Sequence, residues 1–308
     1  MTSKPLISVI VPCYNVAAYV ERAVQSILTQ TYLNLEVLIV DDASTDNSLE
    51  LCQSFCDTRL KIITCPENTQ KIGAVNKALA LASGDYIAFQ DADDWSEPER
   101  IEKQLEAFLK DPHLGICFTD YRYAGSKNDS AGAIAHTDCE LKDEFLHFGY
   151  KGNTQLNASA CPSIMISRAA LEKTGGYHEY FKGRVAEDVQ WIYRILKYFK
   201  GITVPEMLYH YTVREDSLTG IQFSGKNAKA AYSWPLLKRI IYFDVNKNLD
   251  LLAKENEEIL TAVELEACEE ALVESLQYAI RLREVYENSR SFRIGKQVVA
   301  ILKKFKRK

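Results

Sequence analysis

Short apolar runs alternate with segments of helical spacing over the first 110 residues, and this alternation constrains the fold more than any other feature. The apolar runs are rich in Ile, Val and Leu and predict strands buried on both faces, at residues 7–11, 35–40, 61–63 and 84–89. Between them, apolar residues recur every three or four positions and predict helices at residues 17–28, 47–55 and 73–82. Strands and helices in this order form βαβ units, so we expect an α/β fold with a mostly parallel sheet and flanking helices.

Beyond the fourth predicted strand the chain carries weaker structural signals. Residues 96–99 have the Ser-x-x-Glu pattern of a capping box and predict that a helix begins there. Residues 124–137 are rich in Gly, Ser, Asn and Ala and predict a long surface loop. A further strand is expected at 161–166 and a helix at 187–199. From about residue 226 we expect a helical extension.

The net charge of −5 is distributed unevenly along the chain. Residues 290–308 contain eight Lys or Arg and no Asp or Glu, so a basic tail follows an acidic body. The acidic body disfavours nucleic-acid binding, because phosphate backbones attract basic surfaces. The tail also has apolar residues at helical spacing, namely Ile294, Val298, Ile301, Leu302 and Phe305. We expect this basic amphipathic segment to contact a membrane peripherally, with packing on the protein body as the alternative.

Cysteine usage and hydropathy indicate the compartment. The eight cysteines show no paired spacing typical of a zinc site, and we expect free thiols in a reducing environment. The first residues lead into a predicted strand without the pattern of a secretory signal peptide. No apolar run approaches the roughly 20 residues that a membrane-spanning helix needs. The expected location is the cytoplasm.

Polar side chains follow three of the four predicted strands. Residues 12–15 (Pro-Cys-Tyr-Asn) follow the first strand, Asp41 and Asp42 the second, and residues 91–94 (Asp-Ala-Asp-Asp) the fourth. Ligands of open α/β sheets bind outside the carboxyl ends of the strands, so these groups should converge. Five carboxylates at one edge need a counter-charge, and a hard divalent cation such as Mg²⁺ or Mn²⁺ supplies it. A lone Asp-x-Asp would more simply be a solvated turn, but three acidic strand ends favour a metal site.

Two common phosphate-binding patterns are missing. The first predicted strand is followed by Pro-Cys-Tyr-Asn, where a dinucleotide-binding domain has G-x-G-x-x-G. The P-loop pattern G-x-x-x-x-G-K-[ST] does not occur either. A phosphate binder without glycine loops needs a metal or basic side chains, which again favours the metal.

Four segments in this order resemble the successive motifs of family 2 glycosyltransferases, which are inverting enzymes of the GT-A fold found in bacterial surface polysaccharide synthesis. They are Ile-Ser-Val-Ile-Val-Pro-Cys-Tyr-Asn at 7–15, Val-Asp-Asp-Ala-Ser-Thr-Asp at 40–46, Asp-Ala-Asp-Asp at 91–94 and Ala-Glu-Asp-Val-Gln-Trp at 186–191. The resemblance covers about residues 5–220. It implies a GT-A domain, Rossmann-like, over residues 1–222, with a nucleotide-binding half at 1–110 and an acceptor half at 111–222. A helical region at 223–308 would follow.

The resemblance also implies roles for individual residues. Tyr14 would stack on the nucleobase and Asp42 would hydrogen-bond its edge. Asp93 would hold the metal that bridges the two phosphates, with Asp91 nearer the ribose and donor sugar. Asp188 would be the general base that deprotonates the acceptor hydroxyl. Asp188 and the preceding glutamate could instead be first-turn acidic residues that favour the helix dipole. Two further residues of the first motif, Pro12 and Asn15, are assigned to the donor site with Tyr14.

Two segments depart from the family pattern. Residues 211–219 resemble its Y-R-x-H-x-x-S-x-S element, but Thr212 replaces the usual basic residue and Arg214 stands where histidine is common. Arg214 can still contact phosphate, because its guanidinium keeps its charge, and the alternative is an ordinary surface arginine. Residues 68–76 resemble N-x-G-x-x-x-A-R-N, but Gln70 replaces the glycine and a valine replaces the arginine. We assign the basic contribution there to Lys71.

Aromatic and imidazole side chains are secondary candidates. Trp95 directly follows the acidic cluster and could line a sugar site or pack in the core, whereas Trp191 lies on a predicted helix, where core packing is more common. His210 is a minor candidate beside residues 211–219.

The sequence thus predicts an inverting, metal-dependent enzyme that moves a hexose from a nucleotide-diphosphate sugar, with UDP preferred, to a saccharide or lipid-linked saccharide. A sugar-phosphate nucleotidyltransferase is one alternative, although it would usually have a glycine-rich basic loop after the first strand. A non-catalytic sugar-nucleotide-binding or scaffold subunit is the other, and it would need Asp93 but no base.

Overall fold

A computed structural model describes residues 4–124, 161–212, 214 and 228–288. The strands are β1 Ile7–Cys13, β2 Leu35–Asp41, β3 Leu60–Thr64, β4 Tyr86–Phe89, β5 Trp95–Ser96, β6 Leu114–Ala124, β7 Met165–Ser167 and β8 Lys200–Thr212. The helices are α1 Val20–Leu28, α2 Ser48–Gln53, α3 Gln70–Leu81, α4 Arg100–Lys110, α5 Arg168–Thr174, α6 Glu187–Leu196, α7 Ala228–Lys247 and α8 Glu257–Asn288. The predicted α/β fold and the helical C-terminal extension are confirmed.

All eight strands belong to one sheet, in the order β3-β2-β1-β4-β7-β6-β8-β5. The first four strands in this order pair in parallel, as the alternating pattern predicts. β7 lies antiparallel between β4 and β6, while β6 and β8 pair in parallel and β5 pairs antiparallel with β8. The sheet therefore joins the strands of the first 110 residues to those that follow.

The core forms two apolar layers, one on each face of this sheet. On one face, α1 and α4 bury Val24, Ile27 and Ile101 against the odd-numbered residues of β1. On the other face, α3 and α6 bury residues such as Val75 and Ile192, and α7 and α8 extend this layer. Full burial of one such side chain stabilises a fold by about 1.5–3 kcal/mol. Because β1 and β2 are covered on both faces, their sequences are apolar at almost every position.

The prediction of a capping box at residues 96–99 is wrong. Ser96 lies in β5, opposite Tyr209 of β8, and its hydroxyl donates to the Gln90 side chain at 2.5 Å. Helix α4 begins only at Arg100, after Glu99, which makes no side-chain capping bond. Strand pairing with a segment more than 100 residues away therefore outweighs the local capping signal.

Two other predicted elements differ in their bounds. The strand predicted at 161–166 is a short 3-10 turn at Cys161–Ser163 followed by β7 at Met165–Ser167. The helix predicted at 187–199 ends at Leu196. The predicted long loop at 124–137, apart from Ala124 at the end of β6, and the basic tail at 290–308 lie outside the described residues. Within the part of the chain that is described, no helix has the length and apolarity to cross a membrane.

Candidate active site

The loops after β1 and β2 are tied together by hydrogen bonds at the carboxyl edge of the sheet. The backbone N–H of Asp42 donates to the carbonyl of Cys13 at 2.9 Å and continues the register of the two strands. Asn15 has a left-handed conformation, with φ of 51°. Its Oδ1 accepts from the backbone N–H of Thr45 at 2.8 Å. Asparagine tolerates this conformation better than most residues, which accounts for its presence at this turn.

Tyr14 lies at the surface of this edge. Its side chain is 47% exposed, between the buried Cys13 and the tethered Asn15. Pro12 lies inside β1, opposite Val40 of β2. An exposed aromatic ring can stack on a planar ligand, and the assignment of Tyr14 to the nucleobase stays a prediction. Asn15 holds the loop that follows Tyr14 through its bond to Thr45.

Asp42 connects β2 to helix α3. Its side chain is buried, and its Oδ1 accepts from the backbone N–H of Thr69 at 2.7 Å and from the Thr69 hydroxyl at 2.6 Å. A carboxylate beside a helix N-terminus is favoured by the helix dipole. Gln70, which follows Thr69 and begins α3, has φ of 64°, a conformation that favours glycine. The family's glycine at this position therefore has a conformational reason, and Gln70 occupies the same backbone geometry.

Three carboxylates after β4 lie close together. Asp91, Asp93 and Asp94 offer carboxylate oxygens that all lie within 4.8 Å of one another. Asp94 is buried, and its two oxygens accept from the backbone N–H of Thr212 at 2.7 Å and from the Tyr209 hydroxyl at 2.8 Å. Asp94 therefore holds the end of β8 against the cluster, and Asp91 and Asp93 are left to face the site.

Each of those two carboxylates has a basic partner. Lys71 Nζ lies 3.1 Å from Asp91, and an Arg214 guanidinium nitrogen lies 3.0 Å from Asp93. Burial and the neighbouring Asp91 raise the pKa of Asp93, whereas Arg214 lowers it. Burial and the charges of Asp93 and Asp91 also hold the pKa of Asp94 well above its usual value. Three carboxylates thus lie beside two basic side chains, and their hard oxygen donors fit a cation such as Mg²⁺ or Mn²⁺.

The predicted base region lies at the start of α6. Glu187 is buried, whereas Asp188 is partly exposed and its Oδ1 accepts from the backbone N–H of Val189 at 2.7 Å. Burial first, and then the charge of Asp188, raise the pKa of Glu187 to about 7. Two adjacent carboxylates with such different surroundings are typical of sites of general acid–base catalysis.

Lys71 brings the two acidic regions together. Burial lowers the pKa of Lys71, but the charges of Asp91, Asp188 and Glu187 outweigh it and hold that pKa well above its usual value. Asp91 is the direct partner of Lys71, at 3.1 Å, and the charges of Glu187 and Asp188 act on the same ammonium group although they lie about 100 residues further along the chain. The strand-end cluster and the candidate base thus share one site.

Tyr209 is a site residue that the sequence-based interpretation missed. Its hydroxyl donates to Asp94 and accepts from the backbone N–H of Asp91 at 3.2 Å and from the Gln90 amide at 3.3 Å. The ring is fully buried, with the Arg100 guanidinium 5.6 Å from its centroid. This hydroxyl fixes the backbone that carries Asp91. A tyrosine inside a strand gives no local signal of such a role.

The secondary candidates pack rather than open into a cavity. The Trp95 ring stacks on the His210 ring with centroids 3.4 Å apart, and the Arg22 guanidinium lies 5.8 Å from the indole centroid. His210 Nε2 also lies 2.8 Å from a Glu97 oxygen. These contacts favour packing over a sugar-binding role for Trp95. Trp191 is fully buried, as predicted.

The chain is similar to several known proteins. The sequence model described as Glycosyl transferase family 2 matches residues 8–175. The chain is 31% identical to the Bacillus subtilis glycosyltransferase TuaG, whose name assigns it to teichuronic acid biosynthesis, over 77% of this chain and 89% of that protein.

Two solved structures share the fold. Staphylococcus aureus TarS 1-349 in complex with UDP superposes with a TM-score of 0.55 at 19% identity, over 86% of this chain and 80% of that one. The Pyrobaculum calidifontis mannosyltransferase PcManGT with GDP-Man and Mn²⁺ superposes with a TM-score of 0.57 at 20% identity, over 97% of this chain and 85% of that one.

Proposed function

Because the chain belongs to glycosyltransferase family 2, we propose that this glycosyltransferase moves a hexose, with inversion, from a UDP-sugar to a saccharide or lipid-linked saccharide acceptor. The observation that carries the proposal is the position of Lys71, which pairs with Asp91 at 3.1 Å and whose pKa is also raised by the charges of Asp188 and Glu187. A donor diphosphate at the strand-end cluster would then lie beside a carboxylate able to accept a proton. A non-catalytic scaffold would not need the second carboxylate pair.

The donor side uses the residues of the strand ends. Tyr14 stacks on the nucleobase and Asp42 bonds its edge, while Asp91 faces the ribose and donor sugar. Lys71 and Arg214 exchange their carboxylate partners for phosphate oxygens when the donor binds.

A divalent cation belongs to the donor side as well. Asp93 would hold this cation, which, when bound, supplies the positive charge that stabilises a departing diphosphate. Mg²⁺ and Mn²⁺ are both suited to the oxygen donors of this cluster. The Mn²⁺ in PcManGT, a protein of the same fold, supports the assignment.

The acceptor side depends on Asp188. Its carboxylate accepts the proton of the acceptor hydroxyl while that oxygen attacks C1 of the donor sugar. The bond between C1 and the diphosphate oxygen breaks on the opposite side of C1, so the configuration at C1 inverts. Glu187, whose pKa is raised to about 7, lies next to the base and lowers the net negative charge there when it is protonated.

The relatives support a substrate class. One TarS structure is a complex with UDP, and TuaG is named for teichuronic acid biosynthesis. We therefore assign UDP as the nucleotide and bacterial surface polysaccharide assembly as the process. The basic, amphipathic residues 290–308 would hold this cytoplasmic enzyme peripherally at the inner face of the membrane, where a lipid-linked acceptor lies.

A panel of nucleotide sugars tests the function. We would measure nucleotide release from UDP-glucose, UDP-galactose, UDP-N-acetylglucosamine, UDP-glucuronate and GDP-mannose, each with Mn²⁺, Mg²⁺ or EDTA. We expect release from a UDP-sugar with a metal and background release with EDTA. Asp188→Asn should lower turnover by about 10²–10⁴-fold, the usual contribution of a general base. Unchanged turnover in that variant would refute the base, and equal release with EDTA would refute the metal.

A further inference from the structure

The segment that leads into the base helix has an unfavourable backbone conformation. Ala186, the residue before α6, has φ of 73° and makes no side-chain capping bond. Gly183 has φ of 75°. A non-glycine residue in this region costs free energy and persists only where the surrounding structure imposes it. Residues 183–186 therefore need an external support, and they set the position of Glu187 and Asp188.

A carboxylate on the C-terminal helix α8 provides that support. The Tyr180 hydroxyl donates to Glu264 Oε2 at 2.6 Å, and the Arg184 guanidinium and the Tyr232 hydroxyl donate to Oε1. Arg184 also donates to the carbonyl of Tyr180 at 2.8 Å and lies 4.3 Å from the centroid of its ring. One carboxylate thus binds both ends of the turn 180–184 and a tyrosine of α7.

Helix α7 contributes a second contact to the same segment. The hydroxyl of Ser233, which is fully buried, accepts from the backbone N–H of Val185 at 3.3 Å. The side chains of Arg184 and Glu264 are 12% and 25% exposed, so water screens their ion pair less than it screens a surface pair. The hydrogen bonds from Tyr180, Arg184 and Tyr232 lower the pKa of Glu264, against the effect of burial, so Glu264 stays ionised.

We propose that Glu264 is a positioning residue for the base, so that the C-terminal helices are part of the active site. Through Tyr180 and Arg184, Glu264 holds the left-handed turn at Ala186 and thereby the distance between Asp188 and the donor cluster. The inference rests on the proposed role of Asp188. Neither the motif pattern nor the family match, which ends at residue 175, includes this helix.

Glu264→Gln tests the proposal, since it keeps the side-chain shape and removes the charge. With the UDP-sugar that the panel identifies and Mn²⁺, we expect kcat to fall by about 10–100-fold, because small misplacements of a catalytic group have effects of this size. The Kd for UDP with Mn²⁺ should stay within about twofold, since the donor residues precede residue 215. Glu269→Gln, at an exposed position of the same helix, is the matched control and should leave kcat unchanged.

A double variant separates positioning from general stability. If Glu264 acts through the base, the double variant should have nearly the same kcat as Asp188→Asn alone, because effects on one functional unit are not additive. A double variant whose loss in kcat is the product of the two single losses would overturn the proposal. An unchanged kcat in Glu264→Gln would overturn it too. Tyr180→Phe, which removes a single hydrogen bond to Glu264, replaces Glu264→Gln in the same comparison if the latter does not fold.

The outcomes also distinguish this inference from the proposed function. If Asp188→Asn is impaired and Glu264→Gln is not, only the role of Glu264 fails. If Asp188→Asn turns over normally, the base assignment fails and the role of Glu264 fails with it.

Discussion

At the scale of single residues, the carboxylates of the site differ in their burial and in their hydrogen-bonding and charged partners. Asp94 is buried and accepts two hydrogen bonds from β8, whereas Asp91 and Asp93 face basic side chains. Glu187 is buried, whereas its neighbour Asp188 is partly exposed. The family resemblance gives Asp91, Asp93 and Asp188 different tasks, and the packing gives these carboxylates different surroundings.

Glu187 should make stability depend on pH. Its pKa rises from 4.5 to about 7 on folding, so between these values the folded state binds more protons and stability falls as pH rises. The full shift corresponds to roughly 3 kcal/mol, at 1.36 kcal/mol per pKa unit. Glu187→Gln should therefore be more stable than the parent at pH 8, by an amount on the order of 2 kcal/mol, and similar to it below pH 4.5.

Urea unfolding of both proteins across this pH range measures the effect. Glu258→Gln, at an exposed position of α8, is the control and should follow the parent at every pH. A parent protein whose stability rises between pH 5 and pH 7 relative to Glu187→Gln would contradict the assignment.

At the scale of elements, strands buried on both faces are predictable because burial requires apolar residues at nearly every position. β1 and β2 lie where the apolar runs indicate, and their ends carry the predicted polar groups. The prediction of a capping box at 96–99 is wrong because β5 pairs with β8, a partner that the local sequence does not reveal. Tyr209 and Glu264 were missed for the same reason, since their partners lie far away in sequence.

One such distant contact fixes α3 to the segment before the base helix. Asn76 Nδ2 donates to the carbonyl of Tyr177 at 2.9 Å, and its Oδ1 accepts from the Tyr177 N–H at 2.8 Å. Glycine is required beside this contact, because a Cβ on Gly176 would lie 2.3 Å from Asn76 Oδ1. The asparagine that matches the family motif therefore has a structural task.

Asn76→Ala should lower the free energy of unfolding by about 2 kcal/mol, since two backbone groups of the buried Tyr177 lose their partners. Chemical denaturation measures this change. Leu81→Ala, at a 53% exposed position of the same helix, should change stability by less than about 0.5 kcal/mol. A loss in Asn76→Ala no larger than that of the control would show that the contact is not stabilising.

At the scale of the whole molecule, an acidic body precedes a basic tail. Residues 290–308 carry eight basic side chains and an apolar stripe, and each basic group near an anionic leaflet contributes about 1 kcal/mol. The full chain should co-sediment with vesicles containing anionic lipid, and a truncation after Asn288 should not. Neutral vesicles are the control, and binding should fall with added salt. Equal binding by both proteins would contradict membrane contact through the tail.

We propose above all that the strand-end carboxylates hold a metal-bound nucleoside diphosphate. Calorimetric titration of UDP into the protein, with Mn²⁺ and with EDTA, tests this most directly. We predict Mn²⁺-dependent binding by the parent and a loss of at least about tenfold in affinity, or 1.4 kcal/mol, in Asp93→Asn. Asp85→Asn, at an acidic residue just before β4 and away from the cluster, should bind like the parent. UDP binding of equal strength in EDTA, or in Asp93→Asn, would contradict the account.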